Sequence, residues 1–103
     1  MSGAGKNGRV DVAAHFGRNL VRQRKRASLS QEELGTLASL HRTEIGYLER
    51  GERLARIDTL VKLACALSIP PGDLLAGIAW APAVVTRGEF WVRAAEAEVD
   101  RQP

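Results

Sequence analysis

The sequence predicts an all-α fold with a C-terminal extension of different character, on three observations. Residues 11–67 hold four stretches whose apolar residues recur at the 3.6-residue helical period. Two of these stretches are short and stand only three or four residues apart. Beyond Gly77 the periodicity stops, and β-branched and aromatic residues take over.

Residues 1–10, MSGAGKNGRV, combine three glycines with Lys6 and Arg9 and have no apolar period, which reads as a flexible basic arm. Asp11 opens the first helix, DVAAHFGRNLVRQRKRA, with Val12, Phe16, Leu20 and Val21 on its inner face despite Gly17. Its cationic end, RQRKR, suits the negative end of a helix dipole. His15 has no metal partner at i±3 or i±4 and is expected at the surface or its boundary. Ser30 and Glu33 form a capping box for the second helix, whose expected inner face is Leu34, Leu37 and Ala38. Gly35 within it costs roughly 1 kcal/mol against alanine, which predicts close approach by another helix. The third helix runs from about Arg42 to Arg50, with Ile45 and Leu48 facing the second and Gly51 ending it. Two short helices joined in this way make a helix-turn-helix arrangement. The fourth, IDTLVKLACAL, is expected to turn Ile57, Leu60, Val61, Ala64 and Leu67 inward. Pro70 and Pro71 precede a last short turn, Gly72 to Ala76. The chain thus divides into an arm (1–10), a helical domain (11–77) and an extension with its tail (78–103).

At 103 residues the chain is one domain by length. No apolar run is long enough to span a membrane, and the N-terminus lacks the apolar region of a secretory signal, so a cytoplasmic location is expected. The single cysteine, Cys65, lies on an apolar helical pattern and is expected as a small core residue in a reducing compartment. The net charge of +3 is unevenly spread: residues 1–56 carry eleven Lys or Arg against six acids, and residues 57–103 carry four against six. That asymmetry points to an anionic partner for the first half alone. Two histidines, one cysteine and no cluster at metal-ligand spacing argue against an enzyme. No catalytic residue, metal or cofactor is therefore expected.

The third helix raises the functional question. With Leu40, Ile45 and Leu48 turned inward, Arg42, Thr43, Gly46, Tyr47 and Arg50 face away. This outer face is neither a charged solvent face nor an apolar stripe. It mixes forked donors, a hydroxyl, an aromatic ring and bare backbone.

The stretch LSQEELGTLASLHRTEIGYLERGERLARIDTLVKLACALSIPPGDLLAG resembles the XRE family of DNA-binding domains, that of the Cro and C1-type phage repressors. The likeness covers about residues 12–77 and rests on the L-S-Q-E-E-L opening, an I-x-x-L-E-x-G third helix and T-L-x-K-L-A-x-A-L followed by L-L. It implies a five-helix bundle that binds double-stranded DNA in a sequence-specific way, as a homodimer on a near-palindromic operator. By the same resemblance His41, Arg42, Thr43, Gly46 and Tyr47 read bases. The residue chemistry agrees: an arginine fork matches guanine O6 and N7, and threonine can bond a base or touch a thymine methyl. A competing place for Tyr47 is a half-buried ring beside the first helix. Gln31, Arg50 and Arg53 are expected at phosphates. Arg24 and Glu49 are expected, again by resemblance, to form a structural ion pair.

Several residues depart from the family pattern. Ser39 stands at a turn position usually held by glycine, where φ > 0 costs an L-residue of order 1 kcal/mol. His41 and Arg56 replace the usual caps of the third and fourth helices, and Gly46 removes a side chain that would read a base. In the extension, Trp80, Val84, Val85, Phe90, Trp91 and Val92 hold most of the aromatic area outside the bundle. A hairpin turning at Arg87-Gly88 and pairing with its copy would cover them; the competing reading is an Ala-rich helix from Phe90 to Val99. The alternative in function is an XRE-type antitoxin or adaptor that grips a protein partner through this segment.

Overall fold

A computed structural model describes residues 11–82 and 88–92. The basic arm (1–10), Val84, Val85, Arg87 and the tail beyond Val92 lie outside the described residues. Four α-helices, α1 (Val12–Arg26), α2 (Gln31–Ala38), α3 (Arg42–Glu49) and α4 (Ile57–Leu67), are followed by a 3-10 turn (Pro71–Leu75) and two short strands, β1 (Ile78–Ala81) and β2 (Glu89–Val92). The resemblance implied a fifth helix, and the 3-10 turn stands in its place. It opens on a proline and spans only five residues before Gly77 takes a left-handed φ of 83°, too short for the α-helical ladder to set in.

The first two helix starts have a visible cause. The Asp11 carboxylate accepts the backbone N–H groups of Ala13 and Ala14, and Ser30 with Glu33 completes the capping box of α2. Arg56 gives α4 no side-chain cap. The helices close over Phe16, Leu20, Leu34, Ile45, Leu48, Leu63, Leu67 and Leu74.

Several inward assignments are corrected. Leu37, Ile57 and Val61 are exposed, at 59%, 79% and 45%, while Thr59 and Leu63 are buried. Helix α4 is apolar over most of its circumference, so two faces offset by about one position fit its period equally well. The core takes the one through Leu63. Cys65 follows the outward face and is exposed, not a core residue.

His15 is buried, not superficial, and has a task. Its Nε2 lies 3.0 Å from the carbonyl oxygen of Ala76. Asn19 Nδ2 donates to the carbonyls of Leu74 and Ala76, each at 3.0 Å. Helix α1 thereby satisfies the carbonyls of Leu74 and Ala76, at and just beyond the end of the 3-10 turn, where its own i→i+3 bonds run out.

A hairpin follows directly after Gly77, but its first strand is not the expected one. Ile78–Ala81 pairs antiparallel with Glu89–Val92, in the register Ile78↔Val92 and Ala81↔Glu89. The connection therefore spans residues 82–88, not a tight turn at Arg87-Gly88. Strand pairing at Phe90–Val92 overturns the helical reading of those residues. Ile78 packs on the helical core, and Trp80 meets Phe90 edge-on at 4.9 Å.

Candidate nucleic-acid interface

The position of α3 is set by backbone contacts on two sides. Ser39 takes the left-handed conformation (φ 59°) that turns the chain out of α2. Leu40 N–H then donates to Gly35 O at 2.8 Å. A Cβ on Gly35 would lie 2.5 Å from the Leu40 carbonyl oxygen. The close approach at Gly35, expected from another helix, is made instead by the turn. On the far side, a Cβ on Gly17 would meet the carbonyl oxygens of Leu48 and Glu49, each at 2.5 Å. Gly51 (φ 74°) likewise leaves a gap filled by the backbone of Ala14.

His41 does cap α3, since its Nδ1 accepts the Thr43 N–H at 3.0 Å. The first turn of α3 therefore starts cleanly, with His41, Arg42 and Thr43 all exposed. Arg42 stands between two shallow grooves. One is lined by Gln31, Arg42, Thr43, Gly46 and Arg50, and the other by Glu32, Thr36, Leu40, His41 and Arg42. Four of the five residues expected at bases border these grooves, but Gly46 is buried beneath the Arg50 guanidinium and does not face outward as expected. Tyr47 is half-buried one turn on, beneath the Arg53 guanidinium, whose carbon lies 4.2 Å from the ring centroid.

The three residues expected at phosphates each carry a second contact. Arg53 pairs with Glu44 at 2.9 Å, and Arg50 pairs with Glu52 through Nε at 2.9 Å. Gln31 donates its amide to Glu49 Oε1 at 2.8 Å. Glu49 is the hub beneath the groove: Arg24 donates to it through Nε and through Nη2, and donates to the Leu29 carbonyl through Nη1. The hydrogen bond to Glu49 raises the Arg24 pKa further above its usual high value. Side chains of this pair are only 13% and 5% exposed. Sequence reasoning missed the parts played by Glu44 and Glu52. The Glu44–Arg53 spacing of nine residues across a loop carries no local signal, whereas Glu52, two residues from Arg50, was within reach of a charge-pattern reading.

Trp80, Phe90, Trp91 and Val92 sit together on the hairpin, and Val84 and Val85 lie outside the described residues. Among the described residues no group of three or more His, Cys, Asp or Glu could hold a metal ion. No described helix is long and apolar enough to cross a membrane.

The helix-turn-helix family model HTH_3 matches residues 20–74. The chain belongs to the HTH_3 family. It is an XRE-type, DNA-binding helix-turn-helix protein. This HTH_3 chain is 39% identical over 66 residues to the control protein C.SmaI of Serratia marcescens, covering 64% of this chain and 79% of that protein. It is 42% identical over 50 residues to the control protein C.BamHI of Bacillus amyloliquefaciens, covering 48% of this chain and 62% of that one. Among solved structures it is similar to the restriction-modification controller protein C.AhdI of Aeromonas hydrophila. That likeness has a TM-score of 0.59 and 40% identity over 60% of this chain and 94% of C.AhdI. The P22 c2 repressor, solved in complex with a synthetic operator, matches at a TM-score of 0.55 and 28% identity over 58% of this chain and 91% of that one.

Proposed function

We propose that this HTH_3 protein is a sequence-specific transcriptional regulator that binds double-stranded DNA as a homodimer on a near-palindromic operator. The observation that carries the reading is the first turn of α3. It is capped, exposed and held by backbone contacts, and it presents Arg42 and Thr43 at a groove that Gln31 also lines. An α-helix so presented fits the major groove, where Arg42 meets guanine O6 and N7 and Thr43 a neighbouring base. His41, with Nδ1 engaged in capping, keeps Nε2 for a base at the helix entrance. Gly46 leaves room over the helix for the Arg50 side chain, and Tyr47 contributes its phenol. Gln31 and Arg53 hold the phosphate backbone on either side. Arg24 and Glu49 keep α1 and α3 together beneath. The control proteins and the operator-bound repressor among the relatives support regulation as the role. A cytoplasmic location goes with this reading.

The hairpin is the proposed dimer contact, through Trp80, Val84, Val85, Phe90, Trp91 and Val92. Trp80 and Phe90 remain exposed, and the Trp91 Nε1 is buried without an acceptor among the described residues. A second reading rests on α4, where Ile57, Val61 and Cys65 recur every four residues on one exposed face, with Leu54 just before them. A second copy packed there would cover that stripe.

Selection of bound duplexes from a random pool tests the function. A half-site repeated with two-fold symmetry is the expected result. A pool with no enriched sequence overturns the reading and shifts weight to a protein-binding adaptor.

A further inference from the structure

Resting on the reading of α3 as the helix that enters the major groove, we propose that Arg50 reads a guanine through the notch left by Gly46, rather than holding a phosphate. Helical side chains lean toward the N-terminus and cover the turn before their own Cα. Arg50, the C-cap of α3, therefore reaches back over residue 46, four positions earlier. Any ordinary side chain at 46 would fill that space. With glycine there, Arg50 lies across the helix: a Cβ on Gly46 would sit 3.0 Å from Arg50 Nη1 and 3.8 Å from both Cζ and Nη2. This brings the guanidinium to the groove shared with Arg42 and Thr43, away from the end of the helix.

Glu52 also orients the guanidinium. Glu52 accepts from Nε at 2.9 Å and from Nη2 at 3.4 Å, along one edge of the fork. Of the five N–H donors of arginine, this leaves the two on Nη1 and one on Nη2. Those form the end-on pair whose spacing matches guanine O6 and N7. An end-on fork can also grip a phosphate; what favours a base is its place in the groove that Arg42, Thr43 and Gly46 line. The side chain missing at position 46 is thus supplied from one turn further along, and α3 carries two forked readers, Arg42 and Arg50.

The test uses the full chain and random-pool selection with the parent, Arg42→Ala, Arg50→Ala, Arg50→Lys and Gly46→Leu. Affinities for the selected duplex and for a scrambled one, and melting curves, are measured beside it. Arg50→Ala and Arg50→Lys are both expected to lose preference for guanine at one position, different from the one lost in Arg42→Ala. Affinity for the selected site should fall roughly 5- to 100-fold, and affinity for the scrambled duplex much less. Gly46→Leu should lose preference at the same position as Arg50→Ala with no fall in melting temperature, since leucine is the better helix former. Arg50→Lys that keeps the parent motif and affinity overturns the proposal, as does Arg50→Ala that weakens both duplexes by the same factor. A parent that enriches no sequence overturns the reading of function, and the role of Arg50 falls with it. An enriched parent motif that survives in Arg50→Ala overturns the role of Arg50 alone.

Discussion

Arg42 has no acidic partner of the kind that holds Arg50 and Arg53 among the ion pairs of the described residues, so its whole fork is open to a base edge. Replacing it by alanine is expected to cost about 1–3 kcal/mol on the preferred site and to relax choice at one base position. Titration of the variant against single-base variants of the site measures both. His15 makes stability depend on pH. Burial lowers its pKa below the ordinary 6.5, against the hydrogen bond to Ala76 and with help from Arg18 and Arg22. The folded state thus favours the neutral ring, and below about pH 6.5 the unfolded chain binds the proton first. Stability therefore rises with pH through that window and falls as the pH drops. Melting temperatures between pH 5 and 8 should show this slope in the parent, reduced in His15→Gln. The candidate interface was largely legible at this scale because its residue types and spacing on α3 are local. His15 was not, because its partner, the Ala76 carbonyl, stands 61 residues away just after the 3-10 turn.

At the scale of elements, the α1–α3 joint and the helix ends carry the predictions. Glu49 accepts from both Arg24 and Gln31 in a site almost closed to water. Glu49→Ala or Arg24→Ala alone is expected to cost about 3–5 kcal/mol, because each strands a buried partner. Replacing both by apolar residues should recover part of the loss. Strict additivity in a double-mutant cycle, read by denaturant unfolding, would show that the two do not interact. Three helix ends place a serine in the left-handed region: Ser28 (φ 59°), Ser39 (φ 59°) and Ser68 (φ 58°). Each is strained, so Ser28→Gly, Ser39→Gly and Ser68→Gly should each raise stability by about 1 kcal/mol or less, after the entropy of glycine is offset. Only the strain at Ser39 was legible beforehand, through the family pattern. The orientation of α4 was not legible, because IDTLVKLACAL offers two apolar faces and the partners that choose between them, Leu20 and Leu34 among them, are distant in sequence.

For the molecule as a whole, the proposed dimer has two candidate joints, the hairpin and α4. Truncation after Gly77 separates the alternatives. A helical monomer with weak, concentration-dependent DNA binding is expected if the hairpin joins the subunits. A truncated chain that still sediments as a dimer gives the joint to α4, and Val61→Glu in the full chain should then break it. The hairpin itself was foreseen from composition, while its first strand was misplaced. The run AVVTRGEFWV looked self-sufficient, yet β2 pairs instead with Ile78–Ala81, where Ile78 already has the core to pack on.

The glycine contacts at positions 17 and 51 have a mechanical meaning. Where α1 meets the end of α3, main chain touches main chain, and main chain has no rotamers with which to give way. A poorly matched site cannot be met by letting α3 tilt on soft side chains. In the proposed dimer the compliance of the complex then resides in the duplex, which has to bend or twist to bring both half-sites to a stiff pair of readers. Operators should accordingly be ranked by the flexibility of central steps that no side chain reaches, as well as by the bases under Arg42.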